Sequence, residues 1–495
     1  MKILLASSEL HPYSKTGGLA DMVGAMAKYL ARAGEDVSVI TPLYRDPSKK
    51  LPRLKSIDGP KEITLGTGRV RVVFRRSEPE PGLTIYFVDY PPFFERAGLY
   101  GEKGMDYPDN AARFILFSKC VAYLARHLIH PEIIHAHDWQ SGLAPLLVQH
   151  QKGYDRWDDA PATCFTIHNL AFQGNFPIDT YRLTNLPWDY LRPEGAEFYG
   201  KFSLLKTALF YADFLTTVSP KYAQEITTQE FGCGMDGILR ARRNSLVGIL
   251  NGVDYTEWDP AHDPELKHPY NPDNLEGKDA EKLELQRTFG LAKSADVPLF
   301  GTISRLTEQK GIDIQLGALE EMLASPMQFV LLGNGDARFE RGFQELTKRF
   351  PEKAAARIGF DPKLAHQIEA GIDFFLMPSR FEPCGLNQLY SLRYGSVPIV
   401  RATGGLDDSV RDAREDPEAA NGIKFEEYSA GALAKAMRKA LVLYEHKELL
   451  RHYRLNGMES DFSWERTARE YLRLYEGVGR GDWTGTTPMV SRSDR

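Results

Sequence analysis

The sequence predicts an α/β protein built from two doubly wound, Rossmann-like domains. Three observations support this prediction. Short apolar runs alternate with helical patterns along most of the chain, which is typical of parallel sheets covered by helices. A strand, glycine turn, helix and strand open each half of the chain, once at Ile3 and again at Leu299. The length of 495 residues and the hydrophobic fraction of 42% are sufficient for more than one core.

In the first half, the apolar run 3–7 precedes the turn Thr16-Gly17-Gly18 and a helical pattern that ends at Gly34. The apolar run 37–40 completes a βαβ unit. A helix is predicted from Gly142 to Gln149. Alternation of Val, Ile and Phe between Lys49 and Pro92 predicts additional strands, with an antiparallel arrangement as one option. Further buried strands are predicted at 133–135, 163–167 and 214–218.

The second half begins near residue 245–260. A polar, Pro-rich stretch, His262–Lys282, interrupts the alternation of strands and helices there. The strand 299–303 then leads through the turn Lys310-Gly311 into a helix that ends at Met322. Strands with the same buried character follow at 329–332, 374–377 and 397–400.

Composition and charge exclude several classes of function. The 61 Lys and Arg residues against 67 Asp and Glu residues give a net charge of −6, which does not favour nucleic acid as a partner. The chain has no apolar run long enough to span a membrane. Its four cysteines show no CxxC pairing, which argues against a disulfide framework or a Cys-rich zinc site. The residues Lys2–Ala6 start a strand directly, without the pattern of a signal peptide, so we expect a cytoplasmic protein.

Polar clusters follow the predicted strands, and ligands of open α/β sheets bind at the carboxyl ends of strands. We therefore expect a site in a deep cleft where the two domains face each other. The clusters are Lys15–Gly18, His137–Gln140, Ile167–Asn169, Asn251–Asp254, Arg305 with Lys310, and Arg380–Gly385.

Three of these clusters have the chemistry of a phosphate site. Lys15 and Gly18 lie at the start of a helix, where free N–H groups and one cation favour an anion, although a plain glycine turn remains an alternative. The turn lacks the GxGxxG pattern of dinucleotide sites. Arg305 and Lys310 flank a loop that opens a helix and are able to clamp a diphosphate, unless both are solvated surface cations. Gly385 is predicted to open another helix.

A sugar site is predicted around Asp138 and His168, which end neighbouring strands. A carboxylate, an indole face and an amide follow one another at Asp138-Trp139-Gln140, and these groups are typical of sugar binding. A metal site including His135 and His137 is disfavoured, because a strand directs residues 135 and 137 to one face and residue 138 to the other. Near the phosphate clusters, Glu382 is predicted to face the sugar or ribose unless it is only a helix cap, and Cys384 to be a packed thiol rather than a nucleophile.

Together, these motifs resemble those of bacterial glycogen synthases and plant starch synthases. The resemblance extends from the first strand to about Tyr475 and rests on Lys-Thr-Gly-Gly-Leu at 15–19 combined with Glu-Pro-Cys-Gly-Leu at 382–386. It implies a GT-B glycosyltransferase that transfers glucose from ADP-glucose to the non-reducing 4-hydroxyl of an α-1,4-glucan, with retention of configuration and without a metal or other cofactor. It also implies an N-terminal domain over 1–250, a C-terminal donor domain over 251–461, a helix over 462–478 that crosses back to the N-terminal domain, and a polar tail over 479–495.

The resemblance also assigns roles to individual residues. The diphosphate is assigned to Lys15, Arg305 and Lys310, with contacts from Gly18 and from the segment Cys384, Gly385, Leu386 and Asn387. The transferred glucose is assigned to Asp138, His168, Asn251 and Gln309. Glu382 faces the oxocarbenium-like transition state, and Phe360 lies against the adenine. Glu382, Asp138 and His168 are the predicted catalytic residues.

Several alternatives stay open at this point. Phe360 replaces a tyrosine of the enterobacterial enzymes and Ala402 an arginine of some members, so UDP-glucose remains an alternative donor. A sugar-nucleotide epimerase and a non-catalytic glucan-binding protein are the rival functions. Retention is possible through a covalent intermediate or through departure and attack on the same face, and we favour the second route with Glu382 as an electrostatic stabiliser.

Overall fold

The computed structural model describes residues 1–45, 54–57 and 59–479. Part of the predicted strand region between Lys49 and Pro92, and all but the first residue of the predicted polar tail 479–495, lie outside these residues. The chain folds into two compact units. The first comprises Met1–Val218, Ala223–Ile249 and the chain's final helix, and the second comprises Ser219–Tyr222 and Leu250–Ser463.

The main sheet of the first unit has ten strands in the order β15-β14-β10-β9-β1-β2-β6-β5-β3, with β4 paired to β5. Its strands from β15 to β6 are all parallel. Two small sheets, β7-β8 and β11-β13-β12, lie outside it. The strands of this unit are β1 (Lys2–Ala6), β2 (Asp36–Pro42), β3 (Lys55–Ser56), β4 (Lys61–Leu65), β5 (Gly68–Glu80), β6 (Leu83–Asp89), β7 (Gly101–Glu102), β8 (Met105–Asp106), β9 (Ile133–His137), β10 (Ala162–Ile167), β11 (Asn175–Pro177), β12 (Glu197–Phe198), β13 (Lys201–Ser203), β14 (Phe214–Thr217) and β15 (Leu246–Gly248).

Strand β1 shows why this sheet is buried on both sides. Ile3 and Leu5 pack into one core and Leu4 and Ala6 into the other, because successive side chains of a strand point to opposite faces. Helices cover both faces. Those that begin before residue 250 are α1 (Gly18–Arg32), α2 (Pro91–Phe94), α3 (Asn110–Leu124), α4 (Ala144–Tyr154), α5 (Leu204–Tyr211), α6 (Pro220–Glu225) and α7 (Asp236–Ala241).

The additional strands that the sequence predicts between Lys49 and Pro92 differ in orientation. Strand β5 is antiparallel to β6, whereas β6 itself is parallel to β2. The antiparallel option therefore holds for β3, β4 and β5 only. These strands extend one edge of the parallel sheet as an antiparallel ribbon.

The second unit contains a six-stranded, wholly parallel sheet in the order β18-β17-β16-β19-β20-β21. Numbered within the unit, this order is 3-2-1-4-5-6, the strand order typical of dinucleotide-binding folds. The strands are β16 (Leu299–Leu306), β17 (Gln328–Gly335), β18 (Ala354–Ile358), β19 (Phe374–Met377), β20 (Val397–Arg401) and β21 (Ile423–Phe425). The helices are α8 (Glu276–Phe289), α9 (Ile312–Met322), α10 (Ala337–Arg349), α11 (Pro362–Gly371), α12 (Asn387–Arg393), α13 (Gly404–Ser409), α14 (Ala430–Glu445) and α15 (Lys447–Glu459).

Helix α8 starts inside the stretch that the sequence predicts as an interruption, so that prediction is wrong for residues 276–282. Lys282 of this helix is 3% exposed and pairs with Asp373 at 2.7 Å. Arg454 pairs with the other oxygen of Asp373 at 2.6 Å. A buried charge is tolerated only when it is paired, and this triad satisfies that condition.

The final helix, α16 (Trp464–Gly479), belongs to the first unit. Its side chains Trp464, Tyr471 and Tyr475 are at most 2% exposed and lie in the same core as α1. The first unit is therefore completed by residues from the end of the chain. Of the helices described, none is both long enough and apolar enough to cross a membrane.

Candidate active site

In each unit, the polar residues singled out in the sequence lie beside the strand where the sheet order reverses. The chain leaves β1 towards β2 and β6 on one side and later adds β9 and β10 on the other. In the second unit, β16 is flanked by β17 and β19 in the same way. Because ligands of open α/β sheets bind at this switch point, each unit presents a candidate ligand site at the carboxyl ends of these strands.

Glu9 organises the glycine turn of the first unit. It lies three residues after β1 and is 3% exposed. Its carboxylate accepts hydrogen bonds from the backbone N–H of Thr16 (2.5 Å) and Gly17 (3.3 Å), from Oγ1 of Thr16 (2.6 Å) and from the hydroxyl of Tyr100 (2.7 Å). Sequence reasoning missed Glu9, although the polar triplet Ser7-Ser8-Glu9 at the end of an apolar strand was an available signal.

Lys15 and Gly18 occupy the positions that an anion site requires. Gly18 is the first residue of α1, and the N-cap residue Gly17 has no side chain with which to cap the first helical turn. The N–H of Gly17 bonds to Glu9, whereas the N–H groups of the first helical turn, from Gly18 onwards, are the donors that a helix start offers to an anion. Lys15 is 40% exposed and its Nζ contacts Oδ1 of Asp21 at 2.7 Å, so Asp21 holds the ammonium group near the start of the helix.

The structure brings Asp138 and His168 together at the ends of the adjacent strands β9 and β10. Oδ1 of Asp138 accepts the backbone N–H of His168 at 2.8 Å. Burial raises the pKa of Asp138 to about 7, although the N–H groups of His168 and Asn169 oppose this shift. Burial also lowers the pKa of His168 to about 3, so its imidazole is neutral at pH 7.

The backbone at Asp138 differs from the strand geometry that the sequence predicts. Strand β9 ends at His137, and Asp138 has a φ of 55°, so it is not on a strand face opposite the histidines. His137 lies instead 3.1 Å from His168, measured between Nδ1 and Nε2. Among residues 1–45, 54–57 and 59–479, no group of three or more His, Cys, Asp or Glu side chains is arranged to hold a metal ion.

Trp139 packs inside the first unit instead of offering a free face to a sugar. Its ring centroid is 4.9 Å from that of Phe114 and 5.6 Å from that of Phe176. Gly174 crosses the ring so closely that a Cβ there would lie 2.5 Å from the indole Cε3. Sugar stacking on Trp139, which the sequence favoured, therefore has no basis in this packing.

In the second unit, Lys310 and Glu382 meet at the ends of β16 and β19. Lys310 Nζ lies 2.5 Å from Glu382 Oε2, and Ser379 Oγ donates to the same oxygen at 3.0 Å. Glu382 is 5% exposed. The prediction that Lys310 lies on a loop opening a helix is correct, since a short turn and then α9 follow.

Arg305 lies within β16 rather than on that loop, because β16 continues its pairing with β17 as far as Leu306. The prediction of a loop position is wrong for this residue. The side chain is exposed at the carboxyl end of the strand. Within the part of the chain that the structure describes, its guanidinium has no acidic partner, so it is free to bind an anion.

The segment after Glu382 is ordered by its backbone. Gly385 has a φ of 75°, in the left-handed region that favours glycine. The helix α12 begins at Asn387, with Leu386 as its N-cap, so the prediction that Gly385 opens the helix is wrong by two residues. Asn387 donates from Nδ2 to the carbonyl of Ile303 at 2.5 Å and thereby ties this segment to β16.

Cys384 is buried beneath this segment. Burial raises the pKa of its thiol to about 12, against the effect of the Asn251 backbone N–H, and the thiol is therefore protonated at neutral pH. This agrees with a packed thiol rather than a nucleophile. Asn251 is itself 7% exposed, and its Oδ1 has no hydrogen-bond partner among the described residues.

Two glycines that sequence analysis left without a role support the backbone of Glu382. Gly404 has a φ of 46°, and a Cβ there would lie 1.9 Å from the Glu382 carbonyl oxygen. The N–H of Gly405 donates to that oxygen at 3.1 Å. The start of α13 therefore packs directly on the residue that carries the carboxylate.

Gln309 and Phe360 complete the predicted donor residues of the second unit. Gln309 connects the two loops, since its carbonyl accepts the N–H of Arg380 at 2.8 Å and its Nε2 lies 3.5 Å from the carbonyl of Phe381. Phe360 follows β18 at the same edge of the sheet and is 82% exposed. Its ring is accessible to a stacking partner.

Comparison with known proteins identifies the family. The starch synthase catalytic domain family matches residues 2–241, and the group 1 glycosyl transferases match residues 287–456. A glycogen synthase of Koribacter versatilis is 45% identical over 96% of this chain and 98% of its own length. One from Anaeromyxobacter dehalogenans is 46% identical over 96% of this chain and 99% of its own. The chain belongs to the glycogen and starch synthase family.

Solved structures agree with this family. The catalytic domain of starch synthase IV from Arabidopsis thaliana, bound to ADP and acarbose, has a TM-score of 0.88 and 33% identity over 97% of this chain and 99% of that domain. A sucrose-phosphate synthase from Thermosynechococcus elongatus, with a TM-score of 0.62 and 18% identity, shares the fold. The protein is a glycosyltransferase with the GT-B fold, and glycogen synthesis is the function that its relatives support.

Proposed function

We propose that this glycosyltransferase transfers glucose from ADP-glucose to the non-reducing 4-hydroxyl of an α-1,4-glucan, with retention of configuration. The ADP and acarbose of the Arabidopsis starch synthase structure support a nucleotide-sugar donor and a glucan acceptor. The names of the glycogen synthases that match nearly the whole chain support glycogen as the product. UDP-glucose is the alternative donor.

The observation that carries the proposal is the Lys310–Glu382 pair at the switch point of the second unit, with Arg305 at the carboxyl end of β16. Arg305 offers a free guanidinium, and Lys310 adds a second cation that is already positioned by Glu382. A diphosphate leaving group gains charge as its bond to glucose breaks, so fixed cations stabilise the transition state more than the ground state. Each such contact contributes about 2.7–4 kcal/mol.

The remaining groups fit the two substrates. In the first unit, Lys15 and the backbone N–H groups at the start of α1, beginning with Gly18, are donors for phosphate oxygens. Asp138 and His168 supply a carboxylate and a neutral imidazole for glucose hydroxyls. In the second unit, Asn251 has an unused buried amide oxygen, which we assign to the sugar, and we assign Gln309 the same role.

We assign Glu382 to electrostatic stabilisation of the oxocarbenium-like transition state. Lys310 and Ser379 already bond to one of its oxygens and hold the carboxylate in place. In the same-face route, the departing phosphate oxygen accepts the proton of the acceptor hydroxyl while that hydroxyl forms the new bond to glucose. The glucose–phosphate bond breaks on the same side, which retains the configuration.

The donor base and the reaction conditions complete the proposal. The exposed ring of Phe360 stacks on the adenine. The side chains named here supply the positive charge that the leaving diphosphate requires, so we propose that the reaction needs no metal ion. We place the enzyme in the cytoplasm, because its four cysteines are all unpaired thiols, as is usual in a reducing compartment.

Transfer of labelled glucose to glycogen from ADP-glucose and, in parallel, from UDP-glucose, each with EDTA, tests the proposal. Strong incorporation from ADP-glucose is expected. A preference for UDP-glucose would keep the reaction and contradict the assignment of Phe360 to adenine. Loss of activity in EDTA that is restored by a metal would contradict the metal-free mechanism. Interconversion of free sugar nucleotides without glucan elongation would indicate an epimerase, and donor binding without turnover would indicate a non-catalytic glucan-binding protein.

A further inference from the structure

A buried polar network lies behind Asp138 and His168 in the first unit, and the proposed reaction does not use it. Its members are His135 and His137 of β9, Thr166 of β10, Thr216 of β14 and Tyr475 of α16. All five are fully buried. A buried polar group is costly unless it is hydrogen-bonded, so a network of this kind needs a reason.

His135 uses both of its ring nitrogens within this network. Nδ1 lies 2.6 Å from the hydroxyl of Tyr475, and Nε2 lies 2.5 Å from Oγ1 of Thr166. Thr166 in turn contacts Oγ1 of Thr216 at 2.5 Å. His135 is therefore a satisfied structural residue, and it has no nitrogen left for His137, whose ring centroid is 4.2 Å away.

His137 is different, because only one of its nitrogens has a partner. Nδ1 lies 3.1 Å from Nε2 of His168, while the buried Nε2 has no partner among the described residues. A hydrogen bond between two neutral imidazoles has one N–H donor and one bare acceptor nitrogen. Two arrangements are possible, and they place the proton of His168 on different nitrogens.

The unpartnered Nε2 of His137 decides between these two arrangements. If His168 donated from Nε2, Nδ1 of His137 would be the acceptor and the buried Nε2 of His137 would carry a hydrogen with no acceptor. If His137 donates from Nδ1, its Nε2 is only an unused acceptor. Buried N–H groups without a partner are rarer in proteins than under-used acceptors. The second arrangement is therefore preferred.

We propose that His137 is a positioning residue that fixes the tautomer of His168. His137 donates from Nδ1 to Nε2 of His168, and the proton of His168 lies on Nδ1. The Nδ1–H is then the single ring donor that His168 offers to a hydroxyl oxygen of the transferred glucose. The substrate part of this inference rests on the proposed function, whereas the tautomers are a property of the protein alone.

Both rings are neutral, as this arrangement requires. Burial lowers the pKa of His137 well below its ordinary value, and the neighbouring His135 and His168 lower it further. A protonated His137 would donate from both nitrogens and leave an N–H without an acceptor.

Nitrogen-15 NMR of the histidine-labelled full chain, without substrate, tests the tautomers directly. The His137→Asn and His168→Asn variants assign the two rings by loss of their signals. The expected result is a protonated Nδ1 and a bare Nε2 on both His137 and His168. A proton on Nε2 of His168 would overturn the proposal.

Two variants of His137 test the positioning role. In His137→Asn the side-chain amide lies near the former Nδ1 and keeps an N–H donor, whereas His137→Leu removes it. We expect the leucine variant to have a kcat about ten-fold lower than that of the asparagine variant. The Kd for ADP should be the same in both variants. The NMR signal of a bare Nε2 on His168 should be retained only in the asparagine variant. Equal kcat values for the two variants would overturn the positioning role.

These readouts separate the inference from the proposed function. If neither ADP-glucose nor UDP-glucose supports transfer but the tautomers are as expected, the proposed function fails and the tautomer assignment stands. If transfer occurs and His168 carries its proton on Nε2, the inference alone fails. Should the leucine variant not fold, the NMR measurement on the unmodified chain still decides.

Discussion

Glu382 and Lys310 neutralise each other in the free protein, and the proposed reaction changes that balance. When a diphosphate binds, Lys310 faces two anions, the phosphate and the carboxylate. The carboxylate then has excess negative charge beside the sugar carbon that becomes positive in the transition state. The pair at 2.5 Å therefore orients Glu382 before the substrate arrives.

We predict that Glu382→Gln lowers kcat about 10²–10³-fold, the effect of removing one preorganised electrostatic contact. The shape of the side chain is kept, so the Kd for ADP should change little. Initial rates at saturating ADP-glucose and calorimetric titration with ADP provide the measurement. Asp361→Asn, at the N-cap of α11 beside Phe360, is the matched control. Near-normal turnover in Glu382→Gln would remove this residue from the mechanism.

Glu9 is buried behind the glycine turn and supports the proposed anion site from there. We predict that Glu9→Gln raises the KM for ADP-glucose about ten-fold, because the neutral amide bonds less well to the N–H groups of Thr16 and Gly17. The KM for glycogen should stay within about two-fold, a range that corresponds to less than one ordinary hydrogen bond. Steady-state kinetics with each substrate varied in turn measure the two values. An equal rise in both KM values would indicate general damage to the first unit.

Asp138 makes stability depend on pH in a direction opposite to that of an ordinary surface carboxylate. Its pKa rises from 3.8 to about 7 on folding, so the folded state holds the proton more tightly than the unfolded state. This contribution is present below pH 4 and is lost as pH rises towards 7, up to a total on the order of 4 kcal/mol.

We therefore predict that Asp138→Asn gains stability relative to the unmodified protein as pH rises from 5 to 8. Melting temperatures of both proteins across this range measure the difference. Asp236→Asn, which alters a partly exposed ion pair with Arg240, is the control and should show no such trend. A gap in Tm that is constant with pH would contradict the raised pKa.

At the scale of elements, helix α8 is held by buried charged side chains as well as by apolar side chains such as Leu285. Lys282 and Arg454 hold the pKa of Asp373 below its ordinary value, although burial alone would raise it. Lys278 of the same helix donates to the carbonyl of Ala370 at 3.0 Å and to Ser396 at 2.9 Å. These polar contacts fix α8 to the second unit.

We predict that Lys282→Met destabilises the second unit by about 3–5 kcal/mol, because it leaves Asp373 with one cation instead of two in a buried position. Lys267→Met, which breaks the surface pair with Glu284, should cost far less. Chemical denaturation followed by fluorescence compares the two variants. Similar losses in both would show that the buried triad contributes no more than a surface pair.

The same helix shows where prediction from sequence ends. The buried parallel strands were predictable, since each predicted apolar run corresponds to an observed strand. These strands are β1, β2, β9, β10 and β14 in the first unit and β16, β17, β19 and β20 in the second. Helix α8 was not, because Lys278, Glu281 and Lys282 look solvent-exposed until their partners are known. At the site, the motif residues were placed at the correct strand ends, whereas Glu9 and Gly404 act through backbone contacts that no local pattern reveals.

At the scale of the whole molecule, the chain leaves the first unit at Ile249 and returns to it at Trp464. The returning helix fills a core that α1 and β1 share, and its Tyr475 bonds to His135. We predict that a chain ending at Ser463 does not fold its first unit, because the buried surfaces of Trp464, Tyr471 and Tyr475 are lost together, at about 3–5 kcal/mol for each large aromatic side chain. Loss of near-ultraviolet circular dichroism and increased protease sensitivity measure this.

A chain ending at Gly479 is the control for that truncation. It keeps all of α16 and should match the full chain in its melting temperature and its glucose transfer. A folded, active protein ending at Ser463 would show that the helix is dispensable.

The return of the chain to its first unit also determines when that unit is able to complete its fold during synthesis. The roughly 200 residues of the second unit are made before α16 emerges, which takes on the order of 10–40 s at ordinary rates of synthesis. During this interval the part of this core that α16 fills stays uncovered in the nascent chain. The first unit is therefore translated first but completes its fold last. Slow translation of the second unit lengthens the time during which the incomplete first unit is accessible to chaperones.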